Sequence, residues 1–290
     1  MKNKIKNLIP LFLKKMIRKV FPKKKLVHLK NVFGFDIYQN PSDIINYEEF
    51  DGKKLEEVGS SINGRIFYCM NRYISKGSIA IDVGANIGLM TLAMSKLVGN
   101  EGRVISFEPG PVSFGLLRRN IFTNVFNGNV IISDEALSDS LGKFNLFFGK
   151  GESAAELHKN IEYYKNRNKF MVKTQTIDNY FLENKINFSQ VSFVKIDVQG
   201  HDLSVMRGGR TLFSTAKKIA VLIEFAPYLK AWENQTIDDF YNEIISFNFE
   251  IYDESNLAHG KIDLNYLKSN FGAEKIGVYT DLLLLKGQNI

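Results

Sequence analysis

Cysteine and histidine are scarce in this chain, which has one cysteine and four histidines among 290 residues. A lone cysteine, Cys69, excludes an intramolecular disulfide and a cysteine-based metal site, and the few histidines form no zinc-binding cluster. Cys69 lies in a segment with helical patterning, where we expect a buried, inert thiol. This composition suits a reducing, cytoplasmic environment.

Acidic residues are missing from the first 35 positions, which contain eleven lysines and arginines. The rest of the chain has 27 basic residues against all 31 acidic ones. The protein is therefore a mildly acidic body with a strongly basic N-terminal arm. A nucleic-acid-binding body would have its basic patch on the fold itself, so no nucleic-acid partner is expected.

Long apolar runs are also missing, and no uncharged stretch approaches the ~20 residues that span a bilayer. Charges interrupt the apolar part of the arm and no small-residue cleavage site follows, so a signal peptide is not expected. Apolar residues of the arm instead recur at three- and four-residue spacing between Ile5 and Phe21. The arm, residues 1–25, is predicted to be a basic amphipathic helix that contacts an anionic membrane surface. The alternative is a helix packed on the body or on a second subunit.

We divide the chain into an arm over residues 1–30, a short β segment over 31–55 and one domain over 56–290. Strands alternate with helices throughout that domain, which predicts an α/β fold with a mostly parallel sheet. Ser138 to Phe148 is predicted to form a hairpin. The polar stretch 149–169 is predicted to be an irregular loop, either a lid or a surface insertion.

A glycine-bracketed turn organises the domain. Ile79 to Val83 is a short apolar run typical of a buried parallel strand, and Asp82 interrupts it near its end. The turn Gly84-Ala85-Asn86-Ile87-Gly88 follows and leads into a helix. Glycines permit close approach of a ligand to the backbone, and a helix start leaves N–H groups free to meet it. The pattern predicts a nucleotide-like cofactor site.

Acidic residues stand near the ends of the following strands as well. Glu108 comes directly after the strand Arg103 to Phe107, and the Asp134-Glu135 pair follows the strand Asn129 to Ser133. Asp197 and Glu224 lie near the ends of two later buried strands. The carboxyl ends of parallel strands share one edge of a sheet, which is where such folds bind ligands. Glu108, about twenty residues after the turn, is placed to accept hydrogen bonds from ribose hydroxyls.

The turn does not supply the G-x-G-x-x-G spacing of dinucleotide-binding oxidoreductases. Its D-x-G-x-x-x-G spacing resembles the first motif of class I S-adenosylmethionine-dependent methyltransferases. The segments IDVGANIG, SFEPGPVSFGLLRRN, EALSDSLG, TQTIDNYF, FVKIDVQGHDLSVMRGG and VLIEF occur in the order seen in the FkbM-type methyltransferase family. This resemblance covers roughly residues 60 to 226.

The resemblance implies a Rossmann-like, seven-stranded, mostly parallel sheet with helices on both faces and the last strand antiparallel. It also implies methyl transfer, usually to a hydroxyl oxygen, with S-adenosylmethionine as cofactor. The resemblance implies that Gly84 and Gly88 contact the methionine part of the cofactor and that Asp82 contacts its amino group. It also implies that Glu108 contacts the ribose, Glu135 the adenine and Asp197 the methyl group. Asn86, within the same turn, is also a predicted cofactor-binding residue.

The chain departs from the family's K-I-D-V-E-G-x-E segment, where Gln199 and Asp202 replace the two glutamates. Gln199 cannot serve as a base or as an anionic metal ligand. The role of the first glutamate is therefore in question here, whereas the cofactor residues are retained.

A hydroxyl acceptor, such as a sugar, benefits from a general base, and Asp197 and His201 are the candidate catalytic residues. A divalent metal held by Asp197 and Glu224 is an alternative that spacing does not decide. The basic arm suggests an acceptor at a membrane, such as a lipid-linked or surface glycan precursor, and Tyr228 and Trp232 could stack on a sugar. Two other functions stay open: a non-catalytic binding or regulatory protein on this scaffold, and a nicotinamide-dependent oxidoreductase.

Overall fold

The structure is a computed structural model that describes residues 26–41, 62–125, 127–148, 155–158, 169–229, 235–272 and 274–290. The predicted amphipathic arm, Trp232 and most of the predicted loop lie outside the described residues. Within those ranges, no helix is both long enough and apolar enough to cross a membrane.

The strands, in chain order, are β1 (Val27–Val32), β2 (Phe35–Gln39), β3 (Ile79–Val83), β4 (Arg103–Phe107), β5 (Val130–Ser133), β6 (Ala136–Leu137), β7 (Gly142–Phe148), β8 (Ala155–His158), β9 (Lys169–Gln175), β10 (Val191–Ile196), β11 (Ile219–Phe225), β12 (Glu250–Asp253) and β13 (Thr280–Lys286). The α-helices are α1 (Ile62–Tyr73), α2 (Leu89–Val98), α3 (Pro111–Asn124), α4 (Ile177–Glu183), α5 (Asp202–Gly208), α6 (Arg210–Thr215), α7 (Ile237–Ser246) and α8 (Leu264–Phe271).

The main sheet has seven strands in the order β12-β13-β11-β10-β3-β4-β5. β13 runs antiparallel to both of its neighbours, while β11, β10, β3, β4 and β5 are parallel. This arrangement confirms the predicted Rossmann-like sheet with its last strand antiparallel. The central strands are mostly apolar and are buried on both faces, as expected when helices cover both sides of a sheet.

Alternate side chains of the strands enter two separate cores. Ala80 of β3 and Phe193 of β10 pack with α1, α2 and α3 on one face. Ile81 of β3 and Val194 of β10 pack with α4 to α8 on the other. The period of two along each strand therefore produces a three-layer α/β/α arrangement.

The β1–β2 hairpin packs on the first core and is fastened to α3 by two asparagines. Asn124 accepts from the backbone N–H of Asp36 and donates to its carbonyl, both at 2.8 Å. Asn120 makes the same pair of bonds to Tyr38, at 2.8 and 3.1 Å. The hairpin begins at Val27, so it crosses the predicted boundary between residues 30 and 31.

A second, four-stranded sheet in the order β6-β9-β7-β8 lies beside the main one. The predicted hairpin over 138–148 is wrong, because β9 lies between β6 and β7 and pairs with both. The Ser138 N–H donates to the carbonyl of Gln175, which keeps the chain on β9 as it leaves β6. The segment predicted to be irregular contains strand β8, which pairs with β7.

Candidate active site

A pocket opens at the carboxyl edge of β3, β4 and β10, where parallel sheets of this kind bind ligands. Its empty volume is about 790 Å³, counted to the open mouth. Five residues predicted from the sequence line it: Gly84, Asn86, Glu108, Asp197 and His201.

The backbone of the glycine turn is occupied by bonds within the protein. The N–H groups of Gly84 and Ala85 both donate to the carbonyl of Phe107, at 3.0 Å. The N–H of Asn86 donates to Glu108 Oε2 at 2.8 Å, and that of Gly88 to the carbonyl of Ala85 at 2.9 Å. The prediction of free N–H groups at this turn is therefore wrong for these four residues. The end of β4 lies close enough to supply acceptors that the sequence does not reveal.

The two glycines of the turn have different reasons to be glycine. A Cβ on Gly84, which has φ +78°, would lie 2.0 Å from the Asp197 carbonyl oxygen, so the turn sits directly against the end of β10. A Cβ on Gly88, at φ +93°, would lie 2.6 Å from a methyl carbon of Leu117. Gly88 is not among the pocket residues, and its small size serves the packing of α2 on α3.

Glu108 joins the turn to the start of α3. Its buried carboxylate accepts from the N–H groups of Asn86 and Gly110, each at 2.8 Å. Burial raises the pKa of Glu108 to about 7, although the two N–H bonds oppose that rise. Glu108 is thus a rigidly placed acceptor that changes charge near neutral pH.

Asp82 lies behind the pocket wall and has no solvent exposure. Thr91 donates to its Oδ2 at 2.5 Å, whereas its Oδ1 has no hydrogen-bond partner among the described residues. The buried Oδ1 of Asn86, a pocket residue, is likewise without a partner there. Burial raises the pKa of Asp82, while Lys195 and Thr91 act to lower it. These two buried oxygens are hydrogen-bond acceptors that require a donor from outside the described residues.

Lys195 was missed from the sequence, although it is the one charged residue of the apolar run VSFVKI before Asp197. Its side chain is 6% exposed, and its Nζ donates to Asp197 Oδ2 at 2.8 Å. The register of β10 against β3 places Lys195 directly beside Asp82. Burial alone lowers the pKa of Lys195, but Asp197 and Asp82 outweigh it and raise that pKa. The lysine is therefore a permanent cation between two carboxylates.

The Gln199 side chain lies between Asp197 and Glu224. Its Nε2 is 3.4 Å from Asp197 Oδ1 and 3.4 and 3.5 Å from the two Glu224 oxygens. No cluster of three or more His, Cys, Asp or Glu side chains suited to a metal occurs among the described residues. The Gln199 amide, which donates to both carboxylates, therefore occupies the position between Asp197 and Glu224 where the alternative metal ion would have to bind.

Asp202 closes the loop at the end of β10. It is buried and accepts from the N–H groups of Val198 at 3.1 Å and Gly200 at 2.9 Å. Burial, together with Asp197, raises the pKa of Asp202 to about 7. The shorter acidic side chain at this position therefore holds the turn that carries Gln199, which has φ +55°.

His201 precedes α5 and lines the pocket, and its Nε2 lies 2.9 Å from Ser138 Oγ. Glu135 is half-buried and is not a lining residue, but its neighbours Ala136 and Leu137 are. With Phe107 and Leu146 they form an apolar wall. Sequence patterning did not single out this wall, because its apolar residues are indistinguishable from core residues before β7 is placed.

The family model of the methyltransferase FkbM domain matches residues 82–251, more than half of the chain and every lining residue of the pocket. The chain belongs to the FkbM methyltransferase domain family. The matched range begins at Asp82 and ends within β12.

Curated proteins similar to this FkbM domain are also methyltransferases by name. "Methyltransferase 1" of Beauveria bassiana is 27% identical over 145 residues, which are 45% of this chain and 58% of that protein. "Probable cobalt-precorrin-6B C(15)-methyltransferase (decarboxylating)" of Saccharolobus solfataricus is 30% identical over 153 residues, 49% of this chain and 74% of that protein.

Two solved structures illustrate the structural similarity. Methyltransferase FkbM from Methylobacillus flagellatus KT matches with a TM-score of 0.44 and 16% identity, over 71% of this chain and 43% of that one. M. jannaschii TYW2 in complex with AdoMet matches with a TM-score of 0.42 and 14% identity, over 93% of this chain and 90% of that one. The chain spans little more than half of the fungal relative and less than half of the solved FkbM protein.

Proposed function

We propose that this FkbM domain is an S-adenosylmethionine-dependent O-methyltransferase that acts on a hydroxyl, namely a sugar hydroxyl of a glycan or lipid-linked precursor. Family membership supports the methyltransferase part of the proposal. The nature of the acceptor rests on the polar groups beside the pocket and on the basic arm.

The observation that carries the choice of cofactor is that the polar groups in and behind the pocket are mostly acceptors. Glu108 and the unpartnered oxygens of Asn86 and Asp82 call for ligand groups that donate. S-adenosylmethionine offers ribose hydroxyls and a methionine ammonium group, which are donors. A nicotinamide dinucleotide needs backbone donors for its pyrophosphate, and the turn's N–H groups at Gly84, Ala85, Asn86 and Gly88 are already used.

The proposed cofactor contacts follow from these positions. Glu108 accepts from the ribose hydroxyls, and Gly84 permits the methionine part to approach the backbone. Asp82, behind the wall, reaches the ammonium group through a water molecule. Glu135 acts near the adenine from the end of the strand that precedes Ala136 and Leu137. Gly88 contributes by packing α2 against α3.

Bound S-adenosylmethionine would supply an electrophilic methyl group, so the chain's task is to align the acceptor and receive its proton. Asp197, held by Lys195 with its side chain 38% exposed, binds and orients the acceptor hydroxyl. His201, with its ring held by Ser138, is the candidate that takes the proton. No metal ion is part of this proposal.

We further propose that the protein works in the cytoplasm, with its basic arm on the inner face of the membrane. Each basic residue near anionic lipid contributes roughly 1 kcal/mol to such binding. This position would bring the pocket to a lipid-linked or surface glycan precursor. Tyr228, half-buried and close enough to Glu224 for that carboxyl to raise its pKa in addition to burial, is the proposed stacking residue for the sugar.

Calorimetry with S-adenosylmethionine, S-adenosylhomocysteine and NAD(P) tests the cofactor. We expect binding of the first two only, weakened in Glu108→Gln, and a Lys173→Gln variant on the second sheet should bind as the wild type does. Binding of NAD(P) alone would overturn the proposal. Transfer of a labelled methyl group to glycan or lipid extracts from a gene-deletion strain then tests the acceptor. Cofactor binding without transfer to any hydroxylated acceptor would favour the non-catalytic alternative.

A further inference from the structure

A second crevice lies at the opposite edge of the main sheet, where the parallel strands begin. Ser78 precedes β3, Val191 opens β10, Lys218 precedes β11 and Gln288 follows β13, and all four line it. Its empty volume is about 690 Å³, counted to the open mouth. The proposed methyltransferase function does not use this edge of the sheet, and none of these residues lines the active-site pocket.

Two residues that line this crevice each have a buried polar atom without a hydrogen-bond partner among the described residues. These atoms are the hydroxyl of Tyr73, a residue only 5% exposed, and Nε2 of Gln288. The Arg72 guanidinium carbon is 5.7 Å from the Tyr73 ring centroid. This guanidinium lowers the pKa of the Tyr73 hydroxyl, whereas burial raises that pKa more strongly. The two groups do not form a hydrogen bond. A buried hydroxyl and a buried amide N–H₂ are thus available to donate.

Three serines of the crevice, Ser78, Ser189 and Ser192, use their hydroxyl protons in hydrogen bonds within the protein. The Ser75 N–H donates to Ser192 Oγ at 3.2 Å, and Ser78 Oγ donates to the Ser75 carbonyl at 2.6 Å. The 2.6 Å contact between the Ser78 and Ser192 hydroxyls must then use the Ser192 proton. This closed ring forms a rigid wall, so the remaining donors decide what the crevice can bind.

The charged side chains that line the crevice beside those donors are all cationic. Lys76 and Lys218 line the crevice, are exposed and form no ion pair among the described residues, and no lining residue has a carboxylate. Two ammonium groups, a hydroxyl and an amide N–H₂ together suit an anion with several acceptor oxygens. We propose that this crevice binds a phosphate group, either of a free phosphorylated metabolite or of a lipid headgroup.

Calorimetry of the full chain with inorganic phosphate, at fixed ionic strength, tests the site. We expect saturable binding that Tyr73→Phe weakens about tenfold, as for one lost hydrogen bond to a charged group. Lys76→Ala/Lys218→Ala should weaken it further. The matched control is Lys143→Ala/Lys173→Ala, which removes the same charge from facing positions of β7 and β9. It should bind phosphate as the wild type does.

Sedimentation with phosphatidic acid vesicles, against phosphatidylcholine vesicles, separates the two sources. A headgroup ligand predicts vesicle binding that inorganic phosphate reduces and that Tyr73→Phe weakens; a free metabolite predicts phosphate binding without these vesicle effects. Two outcomes would overturn the proposal: no phosphate binding by the wild type, or equal weakening in both double variants. In either case the crevice holds only water. Binding of S-adenosylmethionine, measured on the same samples, reports separately on the proposed methyltransferase site.

Discussion

Replacing Lys195 by methionine should destabilise this protein strongly, and more at high pH than at low pH. Methionine keeps the length and apolar contacts of the lysine stem, so the change chiefly removes charge. The variant leaves Asp82 and Asp197 without their shared cation. Asp82 is fully buried and has one oxygen already unpartnered, whereas the Asp197 side chain is 38% exposed.

Removing one partner of a buried ion pair costs about 3–5 kcal/mol of unfolding free energy. Water screens the partly exposed Asp197 and reduces its share, so we expect about 3 kcal/mol at pH 8, mostly from Asp82. Burial already raises the pKa of Asp82 in the wild type, and losing Lys195 raises it further.

The direction of the pH effect follows from that raised pKa. Above the ordinary aspartate pKa near 4, the folded variant holds a proton on Asp82 that the unfolded chain has lost. Its stability therefore falls as pH rises through this window, by up to about 1.4 kcal/mol per pH unit. At pH 5 a protonated Asp82 needs no cation, so the loss should be clearly smaller than at pH 8.

Urea denaturation at pH 5 and pH 8 measures both quantities. Lys195→Met/Asp82→Asn should recover part of the loss at pH 8, and Lys173→Met, at an exposed position of β9, should change stability by less than about 0.5 kcal/mol. A loss of unfolding free energy below about 1 kcal/mol at pH 8, or a loss of equal size at both pH values, would refute this account of Asp82, Lys195 and Asp197.

Three further predictions concern the turn, the carboxylate and the arm. Gly84→Ala should lower the unfolding free energy well beyond Gly77→Ala, because the carbon added at Gly84 would lie 2.0 Å from the Asp197 carbonyl oxygen, whereas the carbon added at Gly77 would meet open space. Gly77→Ala, at φ +77°, should lower the unfolding free energy by about 1–2 kcal/mol in chemical denaturation. Glu108→Gln should weaken the binding of S-adenosylmethionine about tenfold, as measured by calorimetry. Wild-type affinity should rise from pH 6 to pH 8 as this carboxyl, with its pKa of about 7, ionises; a flat profile would contradict the ribose role. Removing residues 1–25 should strongly reduce sedimentation with anionic vesicles, and unchanged sedimentation would rule out the membrane role of the arm.

The parallel core was predictable because β3, β10 and β11 are short apolar runs separated by helical periodicity. The second sheet was not, because β6 has two residues and β7 pairs with β9, about 25 residues further along the chain. Pairing between strands so distant in sequence depends on contacts that no local pattern records.

The candidate site divides in the same way. The sequence singled out Gly84, Asn86, Glu108, Asp197 and His201 as site residues, and all five line the pocket, whereas Asp82 and Glu135, also singled out, do not. It assigned Gly88 to the same site, and packing against Leu117 gives that glycine a different reason to be small.

By itself, the sequence carried the motifs that resemble the FkbM family, and its local periodicity and spacing predicted the parallel strands and the acidic residues near their ends. The tertiary structure decided what those residues contact. Registration of β10 between β3 and β11 sets Lys195 beside Asp82 and brings Gln199 between Asp197 and Glu224. Hydrogen bonds and ion pairs act over a few ångströms, so charge and donor balance at the site emerge only once distant segments are packed together.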